Sequence, residues 1–222
     1  MKIKHPTITS FCLASIVLTT SNVALAQTTP AATGTQVSAV AAVPAPVPSR
    51  YRGEIIAIDA TSVTIKERSG AEMTFTLADN LPVSEIKPIA LADIKANSYI
   101  GTAAMPKADG SLEALELLLF PEAARGTGEG HFPWDLKPQS TMTNATVAAI
   151  QTTPSGSVLQ LTYKGQEKTV SLLDTTPIVT TLPADKSLLV VGAKVLIVGI
   201  TRDGKLIANR ISAGRNGFTP PM

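Results

Sequence analysis

The sequence predicts an all-β protein: two tandem, small, OB-like five-stranded β-barrels that follow a signal peptide and a Pro/Ala-rich linker. Three observations lead to this prediction. The chain of 222 residues is 44% hydrophobic and only 16% charged, enough apolar content for one ordinary core or two small ones. Short alternating apolar runs, separated by glycine turns, begin near residue 50. The order of these runs then recurs once in the second half of the chain.

The N-terminus has the parts of a secretory signal peptide, which we assign to residues 1–26. Lys2 and Lys4 precede an apolar stretch that ends on Ala-Leu-Ala at residues 24–26, and a basic start, an apolar region and a small-residue cleavage site define such peptides. Polar residues 19–22 interrupt the stretch, so an uncleaved anchor, the alternative, would be short for a membrane span. Cys12 lies inside the apolar stretch and away from the cleavage point, which disfavours lipid attachment.

Cleavage changes the charge of the chain. The precursor has 19 basic and 17 acidic residues, and the predicted peptide removes two lysines but no acidic residue, so the mature chain is formally neutral and has no cysteine. A neutral chain with 4% aromatic residues disfavours nucleic-acid binding. The longest later apolar run, residues 188–200, contains two glycines and a lysine, so no stable membrane span is expected after cleavage. The sequence predicts a periplasmic or secreted protein.

The linker before the first repeat, residues 27–49, is predicted to be disordered. It has no charged residue and four prolines set among Ala, Val, Thr and Ser, a composition that favours an extended tether over a packed core. The remaining boundaries are 50–120 for the first repeat, 121–143 for a Gly/His/Trp linker, 144–213 for the second repeat and 214–222 for a tail. Glycine and two prolines predict that this tail is disordered.

The repeat is visible at matched positions. Residues 53–58 match residues 145–150 in their apolar pattern, and residues 109–117 match residues 203–211, both starting with Asp-Gly. Asp-Gly between two alternating runs is the strongest short signal of a β-hairpin. Each copy therefore has three strands, a longer connection with a short helical turn, and two strands, the element order of an OB-like barrel. Other small barrels and short sandwiches stay open, because element order does not determine strand pairing.

These repeats resemble the exported bacterial domains of the DUF5666 family. The shared pattern is a Gly-x-Ile first strand, two alternating strands and a final Asp-Gly-x-x-x-Ala hairpin, and the resemblance runs from about residue 50 to residue 213. Residues 125–136 and 140–144 resemble a stretch in proteobacterial relatives with two repeats. Some of those relatives are labelled metal transporter permeases, a function that the lack of further apolar segments contradicts. The resemblance implies an exported protein and brings no established activity.

The linker between the repeats contains the candidate site. Arg125, Glu129, His131, Trp134 and Asp135 lie within eleven residues, and His131 is the only histidine left after cleavage. The mature chain has no cysteine and no Gly-x-Ser-x-Gly elbow, so the sequence does not favour a hydrolase. We predict a non-catalytic binding or adaptor protein without a cofactor, whose junction contacts an unknown envelope protein or small ligand.

Three alternatives to this site remain open. Glu129, His131 and Asp135 are ligand types for zinc or a harder metal ion, so a metal-binding or metal-dependent protein is the main alternative, although none has a partner at helical ligand spacing. The three glycines of residues 126–130 suggest an anion cradle, but Pro133 and Pro138 disfavour the helix that such a loop needs. In a purely structural role, the glycines let the chain turn while aromatic residues attach it to a barrel.

Overall fold

The structure, a computed structural model, describes residues 47–154 and 156–221. The predicted signal peptide, nearly all of the predicted 27–49 linker and the final methionine lie outside the described residues. Within them the chain is all-β, as predicted, with 13 strands and three short 3-10 turns. In this part of the chain, no helix has the length and apolar character needed to cross a membrane.

The strands fall into two halves with the same element order. The first half contains β1 (Ser49–Ile58), β2 (Ser62–Glu67), β3 (Glu72–Leu77), β4 (Val83–Pro88), β5 (Tyr99–Pro106) and β6 (Leu112–Leu119). The second half contains β8 (Thr141–Thr153), β9 (Gly156–Tyr163), β10 (Gln166–Leu172), β11 (Ile178–Ala184), β12 (Lys194–Arg202) and β13 (Lys205–Gly214). Between them lies β7 (Gly130–Pro133), and 3-10 turns occur at Leu91–Asp93, Glu122–Ala124 and Lys186–Leu188.

Five strands close a first ring that uses both halves of the chain. β1 pairs with β2 and with β12, β2 pairs with β3, and β12 pairs with β13, all antiparallel. The parallel pair β3–β13 closes the ring. Because alternate residues of each strand point inward, the ring encloses an apolar core that includes Ile55, Val63, Ile65, Phe75, Ile197 and Ile211.

A second ring has the same order of pairs with the halves exchanged. β8 pairs with β9 and with β5, β9 pairs with β10, and β5 pairs with β6, again antiparallel. The parallel pair β10–β6 completes it. Its core includes Ile100, Leu117, Ala145, Leu159, Leu161 and Val170.

The pairings differ from the expected arrangement of one barrel within residues 50–120 and another within 144–213. Three strands of each half are completed by the terminal hairpin of the other half. The reason lies in β4 and β11, two strands that the sequence prediction placed within longer connections. They pair with each other from Val83↔Ala184 to Pro88↔Val179. β4 connects β3 of the first ring to the β5–β6 hairpin of the second ring, and β11 connects β10 of the second ring to the β12–β13 hairpin of the first ring.

β-Bulges occur at matching places in the two halves. The register shifts between Ile55 and Ala57 where β1 pairs with β2, and between Val147 and Ala149 where β8 pairs with β9. A bulge bends its strand and increases the local twist, which a closed ring of only five strands requires. Close to the first bulge, a Cβ added at Gly53 would lie 2.5 Å from the Lys66 carbonyl oxygen, so glycine lets β1 and β2 approach each other here.

The C-terminal residues that the structure describes pack against the rings, in contrast to the disordered tail predicted for 214–222. Phe218 packs against a small apolar cluster between the rings, formed by Ile86 and two further buried side chains from β6 and β11. Pro220 is buried, and the Arg215 guanidinium donates to Glu85 at 2.8 Å. The apolar Phe218 ring gives the tail a contact that its prolines and glycine did not indicate.

Candidate functional site

The chain between β6 and β8 brings the five predicted site residues to three separate places. Arg125 lies beside the segment that precedes β5, where its guanidinium donates to both carboxylate oxygens of Glu122 at 2.6 and 2.8 Å and to the Asn97 carbonyl at 2.8 Å. These bonds close a local turn. Arg125 therefore has a structural role at the start of the linker and does not reach the other four predicted residues.

The glycine-rich segment is held through its carbonyl groups. The Asn144 side-chain amide donates to the carbonyl oxygens of Thr127 and Gly128 at 3.3 and 3.2 Å, and the Tyr99 hydroxyl donates to the Thr127 carbonyl at 3.1 Å. Gly128 has a positive φ of 59°, a backbone conformation that glycine adopts at little steric cost. These contacts favour a sharp turn attached to β5 and β8 over the anion cradle considered from the sequence.

Trp134 and Asp135 attach the linker to the first ring. The Arg50 guanidinium lies 3.8 Å from the centroid of the Trp134 ring, a stacked cation–π arrangement. Asp135 accepts a hydrogen bond of 2.8 Å from Arg52 and lies 3.8 Å from Arg50. Because residues 50 and 52 are two apart on β1, their side chains share one face of the strand, and this face is where the linker lies.

Glu129 and His131 lie in a groove beside the turn between β9 and β10. β7 forms one wall, because it pairs antiparallel with β8 from Gly130↔Asn144 to Pro133↔Thr141. The β9–β10 turn forms the other wall. This β7 groove has a volume of about 430 Å³ and is lined by Glu129, Gly130, His131, Phe132, Tyr163, Lys164, Gln166 and Lys168.

The surroundings of His131 favour its neutral form. Its Nδ1 atom is 2.8 Å from the Thr143 hydroxyl oxygen, and its ring stacks near Tyr163 with a centroid distance of 6.4 Å. Burial, and secondly the charge of Lys168, lower the pKa of His131 below its ordinary value of 6.5. The imidazole therefore adds a flat polar surface to the groove and little positive charge at neutral pH.

The charge of the groove comes from two lysines. Lys164 Nζ lies 3.9 Å from the point where a Cβ would extend from Gly130, so the ammonium group sits against bare β7 backbone. Glu129, the one carboxylate among the lining residues, accepts a hydrogen bond of 3.0 Å from the Lys164 backbone amide. Within the described residues neither Lys164 nor Lys168 forms an ion pair. The lining thus combines aromatic rings with a net positive charge.

The structure does not bring Glu129, His131 and Asp135 together. The first two share the β7 groove, whereas Asp135 is held by the arginines of β1. In residues 47–154 and 156–221, no group of three His, Cys, Asp or Glu side chains is placed to hold a metal ion. The metal site considered from the sequence therefore has no support from the positions of its three residues.

Sequence reasoning missed one buried acid. Glu116 on β6 is fully buried, and neither carboxyl oxygen has a hydrogen-bond partner within the described chain. Burial raises its pKa to about 8, against the smaller opposing effects of the Arg52 and Arg68 charges. Glu116 lies at a register shift of β6, where Ala103 pairs with Glu116 and Ala104 with Ala114, and such a shift changes which residues of a strand face the core.

Comparisons of the chain with protein-family models, with curated proteins and with solved structures find no match. The function must therefore be inferred from the side chains themselves. The β7 groove is the place where two of the predicted residues, Glu129 and His131, meet others that the sequence did not single out. In the β9–β10 turn, Lys164 and Gly165 have positive φ values, which fit a tight hairpin turn, so the sequence Tyr-Lys-Gly-Gln at residues 163–166 indicates a turn and not a function.

Proposed function

We propose that this protein is an exported, non-catalytic binding protein and that the β7 groove holds its ligand or envelope partner. The observation that carries this proposal is the combination of aromatic rings and unneutralised lysines in one groove. Ligand sites typically combine a concave, partly apolar lining with a few polar groups that orient the ligand. Phe132 and His131 supply the flat surfaces, and Lys164 and Lys168 supply charge.

Contacts around His131 favour binding over catalysis. The nearest hydroxyl, that of Thr143, is fully buried and bonded to His131 Nδ1. A nucleophile must reach its substrate, and a hydroxyl beneath the floor of the groove does not. The hydrogen bond to Thr143 therefore orients the imidazole ring in the groove.

We also propose that the two halves are tandem repeats and that each ring is an OB-like barrel. Around each ring, three consecutive strands of one half are followed by the terminal hairpin of the other half: β1, β2, β3, β13 and β12 in the first ring, and β8, β9, β10, β6 and β5 in the second. In each ring a parallel pair, β3–β13 or β10–β6, joins the third of these strands to the last strand of the hairpin. OB-folds bind ligands on their second and third strands and the adjoining loops, and the β7 groove lies at the turn between β9 and β10, the second and third strands of its ring.

The proposed exported location rests on residues 1–26. A basic start, an apolar stretch and the Ala-Leu-Ala site are the support for a cleaved signal peptide, and the resemblance to the exported DUF5666 domains points to the same compartment. A formally neutral mature chain without cysteine is compatible with periplasmic or secreted protein.

The experiment is a nuclear magnetic resonance titration of the 15N-labelled mature protein with envelope extract from the source cells, separated into a low-mass and a protein fraction. We expect one fraction to shift the signals of Tyr163, Lys164 and Gln166. The double variant Lys164→Gln, Lys168→Gln should lose these shifts, because it removes the two charges and leaves the rings in place.

The matched control carries the same charge change outside the groove, at the exposed residues Lys137 and Lys205. It should respond like the original protein. Unchanged groove signals with both fractions, or equal shifts in the groove variant and the original protein, would refute the β7 groove as the binding site.

A further inference from the structure

The first ring has its own groove at the equivalent strand turn. This tail groove, of about 410 Å³, lies where β1 meets the end of β2, and the C-terminal residues Thr219 and Pro220 form part of its wall. Its charged lining residues are Arg52, Glu54, Lys66, Glu67, Arg68 and Lys194. Both grooves therefore lie beside the turn between the second and third strands of a ring, and both are bordered by the segment that follows a terminal hairpin.

Positive charge in the tail groove is only partly neutralised. Of the two carboxylates, Glu54 forms an ion pair with Lys194, and Glu67 accepts a hydrogen bond of 2.6 Å from the Ser69 hydroxyl. Within the described chain, Lys66 and Arg68 form no ion pair and no side-chain hydrogen bond. Two free cations therefore face a cleft that is wide enough for a small molecule.

Two arginines meet across neighbouring strands in this groove. The Arg68 backbone amide donates to the Arg52 carbonyl at 3.2 Å, which places the two residues opposite each other. Like charges directly opposite on neighbouring strands are destabilising, and an anion between them would relieve that repulsion. Lys66 lies two residues before Arg68, so the strand alternation directs its side chain to the same side.

Arg52 is held in position with one donor unused. Asp135 accepts from its terminal nitrogen at 2.8 Å, while its Nε atom is buried and has no acceptor among the described residues. A buried N–H group without an acceptor is unfavourable. A guanidinium that is already oriented also loses less entropy when it forms a second, charge-assisted bond. Burial keeps the Glu116 pKa near 8, so this nearby carboxyl is mostly protonated at neutral pH and offers the arginines little negative charge.

We propose that the tail groove is a binding site for a compact polyanion, a small molecule with phosphate or carboxylate groups, held by Arg52, Lys66 and Arg68. This site is separate from the β7 groove and does not depend on its proposed function. No aromatic ring lines the tail groove within the described residues, so its ligand is recognised through charge and hydrogen bonds. The ion pair with Asp135 orients Arg52, and the other two cations supply attraction from the exposed side.

The test is isothermal titration calorimetry of the mature protein with inorganic pyrophosphate and, separately, with citrate. At least one of these anions should bind at low ionic strength. The double variant Lys66→Gln, Arg68→Gln should bind it about tenfold more weakly, because charge-assisted contacts are lost. Its substitutions are at exposed positions, so the fold should be retained, which circular dichroism would verify.

The control variant Lys164→Gln, Lys168→Gln carries the same change of charge in the β7 groove and should bind like the original protein. The Arg52 Nε–H signal should also shift on binding in a nuclear magnetic resonance spectrum. Pyrophosphate binding alone would assign a phosphate ligand, and citrate binding alone a carboxylate ligand. Failure of both anions to bind, or equal weakening in the two double variants, would overturn the proposal.

Discussion

Asp135 of the linker accepts a hydrogen bond of 2.8 Å from Arg52 of β1, although the two residues are 83 positions apart in the chain. Together with the stacking of Arg50 on Trp134, it attaches the linker to the first ring. The same linker contributes β7 to the wall of the β7 groove. The Asp135–Arg52 contact thus connects Arg52, which we place in the tail groove, with the linker, which borders the β7 groove.

The Asp135–Arg52 contact should contribute modestly to stability. We expect Asp135→Asn to lower the free energy of unfolding by about 0.5–1 kcal/mol, because Asp135 is partly exposed and solvent weakens such pairs. Urea denaturation measures this change, and hydrogen exchange should become faster in residues 134–136. A stability loss of several kcal/mol would show that the carboxylate does more than form this ion pair.

Glu116 should make the protein less stable as the pH rises. The pKa of its carboxyl is about 8 in the folded protein and 4.5 as an ordinary value, so the folded state binds more protons between these limits. The free energy of unfolding therefore falls by up to about 1.4 kcal/mol for each pH unit across this window. Glu116→Gln should remove the dependence, so the variant should be the more stable protein at about pH 9.

Denaturant titrations across this pH range would measure the Glu116 effect. Glu113→Gln is the matched control on the same strand, because Glu113 is partly exposed and lies 3.5 Å from Lys107. It should keep the pH dependence of the original protein. An equal pH profile for Glu116→Gln and the original protein would contradict a buried, protonated carboxyl.

His131 should titrate below its ordinary pKa of 6.5, because burial disfavours its charged form. A histidine pKa that is lowered by folding makes the folded state less stable as the pH falls through this value. Nuclear magnetic resonance of the imidazole ring would give the titration midpoint directly. Lys168→Gln should raise the midpoint only slightly, since the lysine charge is the smaller of the two causes. A midpoint at or above 6.5 would refute the buried environment of the ring.

Cutting the linker should leave the two halves associated. Lys137, Pro138 and Gln139 are exposed between β7 and β8, so a protease site can be introduced there. Because each ring contains strands from both halves, the fragments should elute together from a size-exclusion column and keep their β-sheet spectrum. Fragments that separate as folded monomers would indicate one barrel within each repeat and would contradict the observed pairing.

Alternation and turn chemistry predicted much of the strand content. Both Asp-Gly sites form the expected hairpin turns, with positive φ at Gly110 and at Asp203 and Gly204. The all-β class and a closed five-stranded barrel are confirmed. β4 and β11 were not predicted as strands, because Pro88 and Pro183 weaken the strand signal.

The partner of each strand could not be predicted from the sequence. The β12–β13 hairpin has the same hydrogen-bonding edges whether it pairs with the first half or with its own half. Its alternating apolar residues would also face the core in either case. The site was predicted in part for a similar reason. Glu129 and His131 were recognisable as candidate site residues in the linker. Lys164 and Lys168 could be identified as site residues only from the structure, which places β7 beside the β9–β10 turn.

The exchange of hairpins imposes an order on folding. β1 and β3 are the first and third strands of the described chain to leave the ribosome, yet their ring-closing partners are β12 and β13, its last strands. Their edges must stay unpaired until nearly the whole chain has been released, and unpaired edges invite aggregation. During synthesis the first ring can therefore be completed only after the second ring has all of its strands.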